Sequence, residues 1–349
     1  RRAIRGIEQT THAVGTACRL GGDEFVIILE RLHDAAEAEA FADRLCSELR
    51  RVHTVEGYEI YSTASIGLTS SELDYRAPDE VLRDADVAMY QAKERGKDCF
   101  VRFDESMRER MVDRLELEAG LQRAADAGEL VIEYQPIVSA DSGRVVGSES
   151  LLRWDRPGHG RIAPADFIPI AEETGLICPI GRWIMREALS ELKRLQQDTL
   201  VDPSFYLSVN VSKRQLFEPG FVDQVRDAVH RAGVDPASVC LEVTESVVIH
   251  DPDEEARLLH DVKVAMDDFG IGQSSLTYLR KFPIDVLKID QQFVRNIQGG
   301  RGDLAIIQAV LTLAQNLGMT TVVEGVETPE QFSTLQAMDC NAAQGYLFA

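Results

Sequence analysis

No stretch of this sequence is apolar enough to cross a bilayer, which takes roughly 18–20 consecutive residues. The longest purely apolar runs, such as Phe25–Leu29, are strand-length. The opening RRAIRGIEQT carries early arginines with no apolar stretch behind them, so it lacks the pattern of a secretory signal. C-x-x-C pairs are missing as well. The six cysteines, at 18, 46, 99, 178, 240 and 340, are scattered and read as reduced, mostly buried thiols of a cytoplasmic protein. Seven histidines show no H-E-x-x-H or similar zinc spacing. Zinc hydrolase and disulfide scaffold are therefore excluded. Positive charge is scarce, 37 Lys+Arg against 58 Asp+Glu, a net −21. Residues 1–112 hold 16 Lys+Arg and 22 Asp+Glu, a balance of −6, which leaves −15 to residues 113–349. Such a surface disfavours a nucleic-acid polymer or an anionic membrane as partner. A small anionic ligand needs metal ions or local basic groups to cancel the field.

At about 100–200 residues per domain, 349 residues suggest two domains. In the first, CRLGGDEFVIILE reads as a hairpin turning at Gly21-Gly22. A helix over 34–51 follows, then the strand pair YEIYSTASIGLTS and a helix from about Pro78 that Gly96 stops. The charged helical stretch from Asp104 to Gly128 is the connector, with the domain boundary near residue 112. Beyond it, short β-rich runs (LVIEYQPIVS, VVGSESLLRW, FYLSVNVS, VCLEVTES, VKVAMDDFG, DVLKID, TTVVEGVE, QGYLFA) alternate with amphipathic helices. Strand–helix alternation over this length predicts a (β/α)8 barrel, an α/β fold, in which the opening hairpin makes the first strands not all parallel.

The ends of those strands carry Glu149, Asn210, Glu242, Asp267 with Asp268, Lys288 with Asp290, Glu324 and Gln344. In a parallel barrel these ends meet on one face, where active sites lie. Any single carboxylate there is ordinarily a loop residue or a helix cap; the argument rests on the set. Gathered carboxylates raise one another's pKa or recruit cations, and hard oxygen donors suit Mg²⁺ or Mn²⁺. Asp267 and Asp268 are neighbours and reach one pocket only if the strand breaks between them; Phe-Gly-Ile-Gly supplies the break, and Ser274 or Ser275 caps the next helix. An aspartate bridging two metal ions about 3.5–4 Å apart is the geometry of two-metal phosphodiester hydrolysis. Lys288 then orients or helps deprotonate the attacking water, if its pKa falls. Arg153, on the same strand face as Leu151, is placed to hold a substrate phosphate.

Residues 113–349 resemble the EAL family of cyclic di-GMP phosphodiesterases in ESLLR (149–153), SVNVS (208–212), LEVTES (241–246), DDFGIG (267–272), LKID (287–290), VVEGVET (322–328) and QGYLF (344–348). The resemblance implies that Glu149, Asn210, Glu242 and Asp267 bind one metal ion and that Asp268, with Asp267, serves a second. It makes Lys288 the residue that positions the water, with Glu324 and Gln344 completing the pocket. Gln135, Leu151 and Arg153 contact the dinucleotide, and Glu245 holds the DDFG loop in shape. The implied reaction opens cyclic di-GMP to linear pGpG with Mg²⁺ or Mn²⁺, in a homodimer. Three departures stand out: Glu-Ser-Leu replaces Glu-Ala-Leu, with Ser150 expected to face away from the ligands; the stretch before DDFG is about five residues short, as if a loop near Asp261 were left out; and the chain stops at Ala349, before the family's last barrel helix.

The first segment resembles a GGDEF (diguanylate cyclase) domain through RLGGDEF (19–25), ASIGL (64–68) and RDADVAMYQAKERGKD (83–98). This implies that Gly21 and Gly22 admit GTP, that Glu24 and Asp23 work with metal and the reacting hydroxyl, and that Lys93 and Lys97 lie near phosphates. The family's first strand and metal-binding aspartate fall upstream of Arg1, so this segment is expected to be partial and inactive as a cyclase. Its Arg-x-x-Asp inhibitory motif falls on His12-Ala-Val-Gly15 and is not preserved. The leading expectation is thus a metal-dependent phosphodiesterase with a regulatory first domain. The rivals are a receptor that binds cyclic di-GMP without hydrolysis and signals through the connector helix, and a bifunctional cyclase–phosphodiesterase.

Overall fold

The computed structural model describes residues 14–55, 58–244, 262–270, 283–295, 297 and 301–348. The chain divides into two compact units, Arg1–Glu116 and Leu117–Ala349.

In the first unit, β1 (Val14–Gly21) and β2 (Glu24–Glu30) form the expected antiparallel hairpin, but its turn is Gly22-Asp23 and not Gly21-Gly22, because Gly21 pairs with Glu24. Gly22 has φ +49°, a left-handed value that glycine adopts without a steric cost. Helix α1 (Ala35–Leu49) starts where the Asp34 carboxylate accepts the Glu37 amide at 3.0 Å. It buries Phe41 and Leu45 against Ile27, Leu29 and Ile66. YEIYSTASIGLTS is not one paired unit, however. Its first part, β4 (Tyr58–Ile60), pairs with β3 (His53–Val55), whereas β5 (Ile66–Leu68) runs parallel to β6 (Phe100–Arg102). The reason is helix α2 (Pro78–Glu94), which crosses β5 so closely that a Cβ at Gly67 would lie 1.9 Å from the Ala85 carbonyl oxygen. Ala88 and Ala92 of α2 pack with Val101, Phe103 and Met107. Helix α3 spans Ser106–Ala127, within the charged stretch expected to be helical.

The second unit is the barrel. β7 (Leu130–Ser139) and β8 (Val145–Arg156) form a long hairpin, extended by the short β9 (Gly160–Ile162). Helices α4 (Pro164–Thr174) and α5 (Ile177–Gln197) lead to β10 (Tyr206–Asn210), then α6 (Lys213–Leu216) and α7 (Phe221–Ala232) to β11 (Val239–Thr244). β12 (Lys263–Phe269), β13 (Val286–Ile289), α8 (Arg301–Leu317), β14 (Thr320–Val323), α9 (Pro329–Ala337) and β15 (Ala342–Gln344) complete it. β10 through β15 run parallel in sequence order, β10 also pairs parallel with β8, and β7 closes the ring antiparallel to both β8 and β15. The eight-strand closed α/β barrel, with its one reversed strand, is the fold the sequence pattern predicts. The helix caps proposed at Ser274 or Ser275 lie outside the described residues.

Side chains alternate along a strand, so residues two apart share a face. Ile137, Cys240, Ala265, Val286, Val322 and Ala342 form an apolar cluster inside the barrel, with Tyr206 packed against it. Two positions along the same faces lie Gln135, Glu242, Asp267, Lys288, Glu324 and Gln344, with Ser208 beyond Tyr206. Gly147 holds the corresponding lower position on β8, where a Cβ would come within 3.0 Å of the Tyr206 ring, and Glu149 follows it. An apolar floor therefore carries a polar layer directly above it.

Two local expectations are corrected. The last strand is Ala342–Gln344 and not QGYLFA, because Gly345 turns with φ +157° and lies so close to Val326 that a Cβ would sit 2.2 Å from its carbonyl oxygen. The strand also does not end between Asp267 and Asp268. Instead the β12–β13 register shifts between Met266 and Phe269, and Asp268 takes a left-handed backbone, φ +56°. A bulge of this kind re-aims a side chain without ending the strand.

Candidate active site

Lys288 is the centre of the polar layer. It rises from β13 wholly buried, and its Nζ lies 2.6 Å from Glu324 Oε1, 2.7 Å from Glu242 Oε2, 3.0 Å from Glu149 Oε2 and 3.4 Å from Asp267 Oδ1. Carboxamides tie the periphery. Asn210 Nδ2 donates to Glu149 Oε1 at 2.6 Å, and Gln344 Nε2 donates to Glu149 Oε2 and to Gln135 Oε1, both at 2.7 Å. Strands β7, β8 and β10 to β15 each contribute a member, so side chains more than 200 positions apart meet in one network.

The charges do not balance. Five carboxylates, Glu149, Glu242, Asp267, Asp268 and Glu324, face one ammonium, leaving four uncompensated negative charges if all are ionised. The protonation equilibria respond accordingly. Burial, reinforced by Glu149 and Asp267, holds Glu242 well above the ordinary carboxylate range despite Lys288. Burial likewise pushes Glu324 up to about 7, against the pull of Lys288. Asp268 is raised by burial and by Asp267 and Asp290. Glu149 moves the other way: burial opposes its ionisation, but Lys288 and the amides of Gln344 and Asn210 outweigh that and lower it. For Lys288 itself, burial favours the neutral amine, yet the surrounding carboxylates win and keep its pKa well above the lysine range. Of the two roles expected for Lys288, orienting the water or helping to deprotonate it, the protonated ammonium of this metal-free layer suits the first.

Such a donor set suits a hard divalent cation. All its ligand atoms are oxygens, and Asp267 Oδ1 and Gln344 Oε1 are buried without a hydrogen-bond partner. Among the described residues, no three acidic, histidine or cysteine side chains are grouped so as to hold a metal ion as they stand, and Nζ of Lys288 pairs with Glu149, Glu242 and Glu324.

The remaining expected residues sit elsewhere. Leu151 and Arg153 lie beyond Glu149 on β8, above the layer, and Arg153 pairs with Glu133 of β7 at 2.9 Å. Glu133 was missed in the sequence, although its two-residue spacing from Gln135 places it on the same face. Asp290 caps a short 3₁₀ turn by accepting the Gln292 amide at 2.8 Å. Ser150 points away from the layer, as expected, but its Oγ donates to the Ser208 carbonyl at 2.7 Å. Glu245 lies outside the described residues. In the first unit, Gly21, Gly22, Asp23, Glu24, Lys93 and Lys97 are all exposed, with Gly22 and Asp23 forming the hairpin turn. Among the described residues no helix is long and apolar enough to cross a membrane.

Comparison with known proteins places this geometry in context. The EAL domain family model matches residues 118–349, and the model for the diguanylate cyclase, GGDEF domain matches residues 1–99. A bifunctional diguanylate cyclase/cyclic di-GMP phosphodiesterase of Pseudomonas aeruginosa, MucR, is 37% identical over 98% of this chain and 50% of its own length. The cyclic di-GMP phosphodiesterase NbdA of the same organism is 34% identical over 95% of this chain and 42% of its own. A solved structure of the PaMucR phosphodiesterase in complex with c-di-GMP superimposes with a TM-score of 0.64 at 39% identity, covering 67% of this chain and 96% of that one. The chain spans about half the length of the curated relatives it matches. The family match covers the whole barrel, including every strand that builds the polar layer, and family membership carries divalent-metal dependence with it; the chain belongs to the EAL domain family, with a GGDEF segment preceding its barrel.

Proposed function

We propose that the barrel hydrolyses cyclic di-GMP to linear pGpG as a Mg²⁺- or Mn²⁺-dependent phosphodiesterase. One observation carries this reading above the others: four carboxylates within 3.4 Å of a single buried ammonium at the mouth of a closed barrel, with Asp268 adding a fifth negative charge beside Asp267. A structural core has no use for that surplus of negative charge, whereas a two-cation site needs it. The chemistry named for the relatives MucR and NbdA and the cyclic di-GMP complex of the MucR domain point to the substrate.

In this reading Glu149, Asn210, Glu242 and Asp267 would hold one divalent ion, and Asp268 with Asp267 would serve a second. When bound, the ions supply charge neutralisation at the phosphoryl oxygens and acidify a water near neutral pH. Lys288 keeps its proton and orients that water as a hydrogen-bond donor through Nζ. Glu324, whose carboxyl burial raises to about 7 in the metal-free layer, completes the pocket with its Oε1 against Nζ of Lys288. Gln344, which also donates to Gln135, steadies Glu149 through Oε2, the oxygen that Lys288 meets. Arg153 offers the guanidinium that a substrate phosphate needs in an otherwise acidic mouth. In the first unit, the turn at Gly21–Glu24 with Lys93 and Lys97 is the candidate GTP-binding region, supported by the family match over residues 1–99.

The test is turnover of cyclic di-GMP by the purified chain with Mn²⁺ or Mg²⁺, read as pGpG by chromatography. Activity lost with a chelator, restored by the metal and abolished in Glu149→Ala supports the proposal. Tight binding of the nucleotide without turnover under any metal would refute hydrolysis in favour of the receptor reading.

A further inference from the structure

The β7–β8 hairpin continues above the polar layer, and the residues there on the inward-facing parity include Glu133, Leu151 and Arg153. Arg153 is held on two sides. Its Nε donates to Glu133 Oε2 at 2.9 Å and its Nη1 to the Leu152 carbonyl at 3.1 Å. Its Nη2 makes no hydrogen bond with the described residues. Glu133 is gripped in turn by Nη1 of Arg161 on β9, and Arg161 is itself fixed by Asp155, with Nε to Oδ1 at 2.8 Å and Nη2 to Oδ2 at 3.1 Å. Asp155 and Arg161 are direct partners across the β8–β9 pairing, so the far end of the chain of charges is anchored in the sheet. The sequence Asp155–Arg161–Glu133–Arg153 alternates in sign and ends at Arg153, four residues beyond Glu149 on the same face of β8. Arg161 and Arg153 together hold the Glu133 carboxyl below its usual range, so the link persists as a charge pair at neutral pH.

We infer that Glu133 is a positioning residue for Arg153: it fixes the guanidinium through Nε and leaves Nη2 free to donate to an anionic phosphodiester oxygen of the substrate. A long arginine side chain left loose beside surplus carboxylates would have to be ordered when the substrate binds, and the Glu133–Arg161–Asp155 relay does that ordering beforehand. The alternative, that Glu133 blocks Arg153 as a rival anion, leaves the unengaged Nη2 unexplained. The inference rests on the phosphodiesterase reading above.

The experiment compares cyclic di-GMP hydrolysis by the wild-type chain, Glu133→Ala, Glu133→Gln, Arg153→Ala and the Glu133→Ala/Arg153→Ala double variant. Losing a pre-ordered side chain is expected to raise KM about two- to tenfold in Glu133→Ala, with kcat within about twofold of wild type. Glu133→Gln, which keeps an acceptor, should show a smaller rise, and Glu133→Ala should add nothing once Arg153 is gone. An unchanged KM, a KM that falls because a competitor has been removed, or an equal rise in the Arg153→Ala background would each overturn the inference while leaving the phosphodiesterase intact. A wild-type chain that neither binds nor hydrolyses the nucleotide would overturn the functional reading, and this inference with it.

Discussion

The floor and the polar layer of the barrel are built by the same strands, on the same side-chain faces, only two residues apart. In the floor, Ile137, Cys240, Ala265, Val286, Val322 and Ala342 fill the interior with apolar atoms, and Tyr206 occupies the space that Gly147 leaves open. In the layer above, the same positions advanced by two carry carboxylates, amides and a lysine. The floor removes apolar surface from water and gains stability from it. The layer does the reverse: it removes charge from water, and its single ammonium cannot repay that cost. Stability is thus made in one layer and given up in the next, so mutations in the two layers should fail in different ways.

Lys288 is the strongest place to break this contrast. Replacing it with alanine leaves Glu149, Glu242, Asp267 and Glu324 facing one another without their shared cation. Removing one partner of a buried charge cluster costs about 3–5 kcal/mol. Chelator-treated Lys288→Ala should therefore unfold at markedly lower urea concentration than wild type, and divalent metal should restore part of the loss. Turnover should fall by about a hundredfold or more if Lys288 positions the water. Unchanged stability would mean that the layer is not held together by this ammonium.

The layer should also leave a pH signature that the floor cannot. The folded chain holds the Glu324 proton up to about 7, against about 4.5 when unfolded. A raised carboxyl stabilises the fold where it is protonated, so this contribution is complete below pH 4.5 and is lost as pH rises through 7. A shift of this size corresponds to about 3 kcal/mol. Glu149, lowered in the fold, acts with the opposite sign, losing its contribution as pH falls. Metal-free protein should become easier to unfold between pH 5 and 7.5, and saturating Mg²⁺ should flatten that slope, because a bound cation takes over the proton's role. A slope that is the same with and without metal would detach the cation from these carboxylates.

In the floor, Val286→Ala removes two methyl groups two residues before Lys288. The expected loss is about 2 kcal/mol in urea unfolding, with no dependence on pH or metal. The kcat should stay within a few-fold of wild type, since the strand that carries Lys288 keeps its pairing. A large fall in kcat with little change in stability would show that the floor sets the layer's geometry more tightly than its packing suggests.

The two layers also differed in how legible they were. Polar residues at strand ends are conspicuous because they interrupt apolar runs, so Glu149, Asn210, Glu242, Asp267, Lys288, Glu324 and Gln344 could be read directly. The floor was not recognised as a layer, because Cys240, Ala265 and Val286 look like any core residue until strand parity aligns them. Asp268 was read as lying beyond a strand end, whereas a left-handed bulge carries it; asparagine and aspartate reach that backbone region at low cost, and nothing in local composition distinguishes the two routes. β6 and α9 went unread for opposite reasons. β6 is three residues long and finds its partner more than thirty residues away, a contact that local pattern cannot see. α9 did advertise itself, through the Thr328–Gln331 capping box and Pro329 at its first turn. Glu133 escaped because its significance lies in the arginines across two strand pairings, not in its neighbours along the chain.

The smallest expected effect tests whether the outward face of β8 is independent of its inward face. Ser150 is buried at 3% exposure and donates through Oγ to the Ser208 carbonyl, while Glu149 and Leu151, its neighbours, face the other way. Alanine, the family's residue here, removes the donor but keeps the Cβ and leaves no large cavity. The abandoned acceptor is a carbonyl of a paired strand, so the cost should be at most about 1 kcal/mol. Ser150→Ala should therefore lower the unfolding midpoint slightly and leave kcat, KM and metal requirement unchanged. A change in metal requirement would mean that the hydrogen bond between β8 and β10 sets the spacing of Glu149 and Asn210, and that the two faces of the strand are mechanically one.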